Sequence, residues 1–171
     1  MEEQTGNGVL VHCEISDGRL APVATEALGA GSRLAAGLGQ GLSAVLIGSG
    51  VGEAAQEAIA RGAAKVYVAD APFLQDYSTE AYLHVMQTVV GQSMPAVVLM
   101  GQTPVGRDLA PWLALRLDTG ATMDCMALAI DPDTKRLQMT RPVYGGNAQA
   151  VQVCRTDPQV ATIRLKSMAP A

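Results

Sequence analysis

The sequence predicts an α/β fold with three layers, in which a mostly parallel sheet is covered by helices on both faces. Two observations support this prediction. Up to Gly120, strand-length apolar segments alternate with segments of helical periodicity. The segments at 42–48 and 95–101 are almost entirely apolar, with Ser43 as their one polar residue, which is typical of parallel strands buried on both faces. After Gly120 the extended segments follow one another directly, which predicts a strand-rich C-terminal third.

The elements before residue 102 follow from these patterns. The first helix opens with Pro22 near its start, where the missing N–H costs little, although Gly29 and Gly31 lower its helix propensity. Ser78 or Thr79 is expected to cap the third helix. In chain order we predict a strand at 8–15, a helix at 21–38, a strand at 42–48, a helix at 52–61, a strand at 65–70, a helix at 79–92 and a strand at 95–101.

A fourth helix is predicted directly after the strand at 95–101. Thr103 can cap it and Pro104 suits its first turn. Pro111 lies inside it and is expected to bend or interrupt it, because proline cannot donate the helical hydrogen bond. An apolar stripe recurs every fourth residue, at Val105, Leu109, Leu113 and Leu117.

The last third of the chain is predicted to be extended. Segments 121–130 and 136–142 form a hairpin across the polar turn between them, and two more strands follow at 147–154 and 159–165. We therefore expect a single α/β domain over residues 1–165, with 166–171 as a tail or the start of a linker.

Composition excludes several classes of function. The 12 Lys and Arg residues are scattered and the net charge is −4, so no clustered basic surface for nucleic acid is expected. No apolar run reaches the roughly 18 residues that span a bilayer, so membrane insertion is not expected. The N-terminal segment is acidic and polar, unlike a secretory signal, and we expect a cytoplasmic protein.

Cysteine and histidine spacing gives no metal or redox motif. Cys13, Cys125 and Cys154 are far apart in sequence and are interpreted as reduced, structural residues. His12 and His84 have no second ligand at helical spacing. We therefore expect neither a metal site nor a catalytic residue in this chain.

Two segments favour a turn over a nucleotide site. The segment 48–53 has glycine at the first and third positions of a dinucleotide fingerprint, but Glu53 stands at the sixth and would repel a pyrophosphate. Asp70 ends a predicted strand, where it can bind a ribose hydroxyl or cap a turn, and we favour the cap.

Polar residues cluster around the start of the fourth helix and in two later segments. Arg107 and Asp108 are adjacent on that helix, so they point about 100° apart and at least one needs another partner. The helix start follows a parallel strand, where ligands bind in open α/β sheets. Asp124 follows a glycine turn, and 141–147 holds a structured turn whose candidate residues are Arg141, Gly145, Gly146 and Asn147.

Four segments together resemble the N-terminal domain of the electron transfer flavoprotein alpha subunit. They are T-P-x-G-R-D-L-A-P at 103–111, the Asp-Cys step at 124–125, R-P-x-Y-G-G-N at 141–147 and A-T-I-R at 161–164. The resemblance covers most of the chain and is tightest after residue 95. Trp112 departs from the family, which commonly has a basic residue there.

The resemblance implies a Rossmann-like fold similar to adenine-nucleotide hydrolases, and a scaffold and partner-docking role in a flavin-based electron carrier. In the complete family complex a second domain holds most of the FAD, and a beta subunit completes the heterodimer. The chain would then have no cofactor of its own and no enzymatic activity. The alternative is a stand-alone module that binds AMP or FAD; a small Rossmann enzyme is a third possibility, which the incomplete glycine pattern opposes.

The resemblance also leads to expectations about contacts. Arg107, Asp108, Asp124, Arg141 and Asn147 are expected to form one polar framework, with Asp124 bonded to Arg107 or Arg141. Without a beta-type subunit and an FAD-binding domain, the chain is expected to form a homodimer through segments after Gly120 and through Trp112.

Overall fold

The computed structural model describes residues 6–171. Its centre is a six-stranded parallel sheet in the order β5-β4-β1-β6-β11-β7. The strands are β1 (Val9–His12), β2 (Ile15–Ser16), β3 (Arg19–Leu20), β4 (Leu42–Gly48), β5 (Lys65–Asp70), β6 (Val97–Gly101), β7 (Ala121–Cys125), β8 (Ala127–Ile130), β9 (Leu137–Val143), β10 (Ala148–Val153) and β11 (Gln159–Ile163). The helices are α1 (Pro22–Leu38), α2 (Gly52–Ala60), α3 (Thr79–Ser93) and α4 (Pro104–Arg116), with short 3-10 turns at Pro72–Leu74 and Tyr144–Gly146.

The four helices cover both faces of the main sheet. Residues of α1 and α2 pack into one apolar core and residues of α3 and α4 into the other. Strands β1, β4, β6 and β11 supply both cores, and β6 and β11 are buried along their whole length. The predicted three-layer α/β fold is confirmed.

The predicted hairpin exists, but the segment 121–130 forms two strands rather than one. Its first part is β7, which pairs with β11 in the main sheet, and its second part is β8, which pairs with β9. The backbone changes direction at Asp124, whose φ is +64°. A second sheet of order β10-β9-β8 therefore leaves the main sheet, and its outer strand β10 is mostly exposed.

Helix α4 begins as predicted and continues without interruption through Pro111. The Thr103 hydroxyl accepts a hydrogen bond from the Gly106 amide at 3.1 Å, which caps the first turn. Leu109 and Leu113 are fully buried on either side of the proline. The predicted interruption of α4 is wrong. Packing of Leu109 and Leu113 in the core keeps the helix continuous, although Pro111 cannot donate a backbone hydrogen bond.

The glycines of α1 allow close packing, which explains their place in a helix. A Cβ on Gly29 would lie 2.3 Å from the Ala169 carbonyl oxygen. Residues 166–171 run along this helix, and the Ala171 amide donates to the Thr25 carbonyl at 3.0 Å. The low helix propensity of glycine is therefore offset by a close contact that any side chain would prevent.

Candidate functional site

The crevice where open α/β sheets bind ligands lies between β1 and β6, because the strand order reverses there. Two side chains meet across it. The Thr103 hydroxyl, after β6, donates to a carboxylate oxygen of Glu14, after β1, at 2.6 Å. Burial raises the pKa of Glu14, and the hydrogen bond from Thr103 opposes this shift. The chain thus bridges the crevice with its own polar groups.

The backbone amides of the glycine turn between β4 and α2 are also bonded to a side chain of the same chain. The amides of Gly50 and Val51 donate to the two carboxylate oxygens of Asp70, at 2.8 and 3.1 Å. Amides at a helix start are the groups that would bind a phosphate. The interpretation of Asp70 as a cap is therefore confirmed, and a carboxylate stands where a dinucleotide phosphate would be expected.

Asp108 joins the starts of α3 and α4. One of its carboxylate oxygens accepts hydrogen bonds from the Tyr77 and Thr79 hydroxyls, both at 2.6 Å. These bonds lower the pKa of Asp108, while burial and the nearby Asp108 carboxylate raise that of Tyr77 to about 12. Ser78 occupies the capping position of α3 but makes no side-chain cap, and Thr79 bonds to Asp108 instead, so the predicted cap is wrong.

His12 and the cysteines have structural surroundings. His12 lies in the core edge-on to the Tyr82 ring, and burial lowers its pKa to about 4, which keeps it neutral. All three cysteines are free, and Cys13 and Cys125 are buried. Burial raises the pKa of Cys125 to about 12, and that of Cys13 further.

Asp124 forms an ion pair with Arg164, which directly follows β11. The Arg164 Nε and Nη2 atoms donate to the two carboxylate oxygens of Asp124 at 3.0 and 2.8 Å. The prediction that Arg107 or Arg141 would bond to Asp124 is wrong, because β11 enters the sheet beside β7 and brings Arg164 closer. The hydrogen bonds from Arg164 lower the pKa of Asp124, and the charges of Arg141 and Arg107 lower it further.

The turn at 144–147 is a separate feature at the tip of the β9–β10 hairpin. Gly145 and Gly146 have φ values of +65° and +95°, which glycine adopts without strain. The Asn147 side-chain amide donates to the Tyr144 carbonyl at 3.0 Å and so closes the turn locally. Its substantial contacts are with its own two strands.

The structure therefore divides the expected polar framework into three groups. Asp108 bonds to α3, Asp124 bonds to Arg164, and Gly145, Gly146 and Asn147 form the hairpin tip. Sequence reasoning missed Glu14, Tyr77 and Arg164 as partners. Arg164 had one usable signal, since it follows an apolar strand at the edge where Asp124 also lies.

Two features are absent from residues 6–171. No helix there is long and apolar enough to cross a membrane. Within the same range, no three His, Cys, Asp or Glu residues are grouped so that they could hold a metal ion.

Comparison with known proteins identifies the family of this chain. Residues 9–171 match the family model described as the electron transfer flavoprotein domain. The alpha subunit of this flavoprotein from Clostridium acetobutylicum is 41% identical over 96% of this chain and 49% of its own length. The alpha subunit from Megasphaera elsdenii is 44% identical over 92% and 47%. Subunit LctC of the Acetobacterium woodii lactate dehydrogenase (NAD(+),ferredoxin) is 38% identical over 93% and 38%. This chain spans about half the length of the alpha subunits it matches.

Proposed function

The chain belongs to the electron transfer flavoprotein family, as an N-terminal domain of the alpha-subunit type, and we propose that it is the scaffold and docking part of an electron carrier. Its proposed partners are a beta-type subunit and an FAD-binding domain, with FAD as the cofactor of the complete assembly. The assembly would pass electrons from dehydrogenases to an acceptor. The chain itself would contribute structure and contacts rather than catalysis.

The exposed outer strand of the small sheet is the main observation behind the docking role. Strand β10 pairs with β9 on one side only, so its other edge presents backbone groups that can pair with a partner strand. Val151 and Val153 on this strand are 62% and 49% exposed, and Tyr144 at the tip is 84% exposed. Apolar side chains beside a free strand edge suit a protein contact.

The nucleotide-binding alternative has less support. The Glu14–Thr103 hydrogen bond crosses the crevice where a nucleotide would be expected, and Asp70 occupies the amides at the start of α2. A bound phosphate would have to displace a carboxylate, which would also repel it.

An assembly experiment tests the docking role. We expect the chain to form a one-to-one complex with a beta-type subunit when an FAD-binding domain is supplied, as measured by light scattering after gel filtration. Val151→Lys should weaken association at least tenfold, because it places a charge in the contact. Val68→Lys is the matched control, since Val68 is 51% exposed on β5, which is an edge strand of the main sheet rather than of the small one. No complex, or an equal loss in both variants, would refute the proposed surface.

The chain alone should show two further properties. We expect it to be colourless after purification, because the proposed flavin contacts belong mostly to the other domain. We also expect a homodimer through segments after Gly120 and Trp112, which is 47% exposed on α4. A stoichiometric flavin absorbance band would contradict the first expectation, and a monomer mass at every concentration would contradict the second.

A further inference from the structure

The segment that follows β11 turns back and lies against α1. The turn is closed at Arg164, whose carbonyl oxygen accepts hydrogen bonds from the Ser167 hydroxyl at 2.6 Å and from the Ser167 amide at 3.3 Å. Lys166 lies inside this turn with a φ of +61°. The turn directs residues 166–171 onto α1, and we call these residues the strap.

A buried carboxylate holds the first half of the strap. Glu26 of α1 is only 9% exposed, and its two carboxylate oxygens accept hydrogen bonds from the amides of Lys166 at 3.1 Å and Met168 at 3.3 Å. A carboxylate removed from water is costly unless hydrogen bonds compensate for the lost solvation. The two amides supply this compensation, while the Met168 side chain packs against the core. The strap therefore covers a polar group that water would otherwise solvate.

Backbone and arginine contacts hold the second half of the strap. The Ala171 amide donates to the Thr25 carbonyl oxygen at 3.0 Å. The Nη1 atom of Arg61 donates to the Ala171 carbonyl oxygen at 2.6 Å. The Nη1 atom of Arg33 donates to the Ala169 carbonyl oxygen at 3.4 Å. The strap is thus bonded to α1 and to the arginine that directly follows α2.

Gly29 is the position at which α1 and the strap approach most closely. The three atoms nearest to a Cβ added at Gly29 would lie within 2.8 Å, and they belong to the backbone of Ala169, Pro170 and Ala171. Backbone atoms cannot move aside as the end of a flexible side chain can. A side chain at this position would therefore displace the strap before it disturbed the core.

The strap is nevertheless separable from the rest of the domain. The last strand of the main sheet, β11, ends at Ile163, before the strap begins. Lys166 and residues 169–171 are exposed. Water can therefore replace the hydrogen bonds of the strap when it lifts from α1. Segments of this kind open locally at a lower free energy than the core of a protein.

We propose that the strap is a conformational device that closes over α1 and opens as a unit, without unfolding of the domain. While the strap is closed, its end is fixed beside α1 and Arg61. Residues 166–171 release up to about 20 Å of chain on opening, because each extended residue spans about 3.3–3.6 Å. Any segment joined after Ala171 would gain that reach. The proposal rests on contacts inside this chain, so it does not depend on the docking role.

Amide hydrogen–deuterium exchange of the whole chain, resolved to single residues by NMR, tests both states. The amides of Lys166, Met168 and Ala171 should exchange at least about tenfold more slowly than in an unstructured peptide, because the closed strap protects them. They should exchange at least about a hundredfold faster than the amides of β11, because the strap opens without the sheet. Exchange at the peptide rate would exclude a closed strap. Exchange at the rate of β11 would exclude independent opening.

Two glycine substitutions in α1 separate an effect on the strap from an effect on the helix. Gly29→Ala should lower the protection of the strap amides at least about tenfold, although alanine favours the helix itself. Gly37→Ala is the matched control in the same helix, because the atoms nearest to its Cβ belong to the Ile130 side chain. It should change the protection of the strap by less than about twofold. Equal changes in the two variants would contradict the proposal, as would an equal loss of protection in β11 and in the strap of Gly29→Ala.

Glu26→Gln tests whether the strap opens as a unit. It leaves one acceptor oxygen for the amides of Lys166 and Met168, so the protection of both should fall relative to β11. The Ala171 amide bonds to Thr25 rather than to Glu26. Opening of the whole strap should nevertheless lower the protection of Ala171 by the same factor. A loss confined to Lys166 and Met168 would show that the two halves open separately and would overturn the proposal.

Discussion

The two halves of the sheet's carboxyl edge differ in how their polar groups are satisfied. Around β1, β4 and β5, Glu14 accepts from Thr103, and Asp70 accepts from two backbone amides. Around β7 and β11, the Asp124 carboxylate pairs with Arg164, and the charges of Arg141 and Arg107 also lower its pKa. The half where the fold class usually binds ligands is thus closed by the chain itself, whereas in the other half Arg107 and Arg141 form no ion pair within 4.0 Å among residues 6–171.

The largest expected effect comes from α4, which contributes to both halves. Its Gly106 packs so closely that an added Cβ would lie 1.8 Å from the Gly101 carbonyl oxygen. Gly106→Ala would shift both Thr103 and Arg107, and we expect a loss of about 3 kcal/mol or more in the free energy of unfolding. Gly91→Ala, in α3 with no atom within 4 Å, is the control and should stabilise by about 0.5–1 kcal/mol. Urea unfolding of both variants checks this pair, and similar midpoints would contradict the close packing.

Asp108→Ala should have the next largest effect, on the closed half. It leaves the hydroxyls of Tyr77 and Thr79 without their shared acceptor. We expect a loss of about 2 kcal/mol in thermal or urea unfolding, because partly buried donors would lose their partner. Asp133→Ala, at an exposed turn position, should stay within about 0.5 kcal/mol. Equal effects of the two changes would mean that Asp108 does not hold α3 against α4.

Asp70→Ala should destabilise less, by about 1 kcal/mol, because it removes a helix-cap type of interaction. It frees the amides of Gly50 and Val51. Asp70→Asn keeps one acceptor oxygen and should lose about half as much. Calorimetric melting of the two variants measures which of them loses more stability. A larger loss in the asparagine variant than in the alanine variant would exclude the cap as the source.

The smallest effect is a pH dependence of opposite sign in the two halves. The raised pKa of Glu14 means that its ionisation disfavours folding, so stability falls as pH rises from the ordinary glutamate range through the folded-state pKa. The lowered pKa of Asp124 means that its ionisation favours folding, and this stability is lost as pH falls from the ordinary aspartate range through the folded-state pKa.

Two variants that replace a carboxylate by an amide test the direction of each pH dependence. Glu14→Gln keeps an oxygen that can accept from Thr103, so it should raise stability at neutral pH and lose that advantage in acid. Asp124→Asn should lower stability at neutral pH and lose that disadvantage in acid. Unfolding curves between about pH 3 and pH 8 cover both ordinary carboxyl ranges. Differences of the same sign in the two variants would contradict the contrast between the halves.

The sequence predicted the main elements well wherever burial determined the pattern. The predicted strand at 42–48 matches β4, because a strand buried on both faces leaves an apolar run, here broken only by Ser43. The segment 121–130 was predicted as one strand, because the pattern of apolar and polar residues does not show that the backbone changes direction at Asp124.

The candidate site was less predictable because it depends on strand order. Asp124 and Arg164 are neighbours only because β11 lies next to β7, and local sequence patterns do not determine that order. The same limit applies to Tyr77 and Asp108, which meet between two helix starts. Residue types and approximate positions could be predicted, whereas their partners required the tertiary arrangement.

The position of β11 also affects how the chain can fold during synthesis. β11 is the last strand in sequence but lies between β6 and β7, and β7 has no other neighbour in the main sheet. While a ribosome produces the chain from its N-terminus, β7 and the apolar edge of β6 must remain unpaired until residue 163 has emerged. At about 5–20 residues per second, these edges are exposed for several seconds, during which strands can pair wrongly or recruit a chaperone. The domain can therefore fold cooperatively only after β11 has been synthesised.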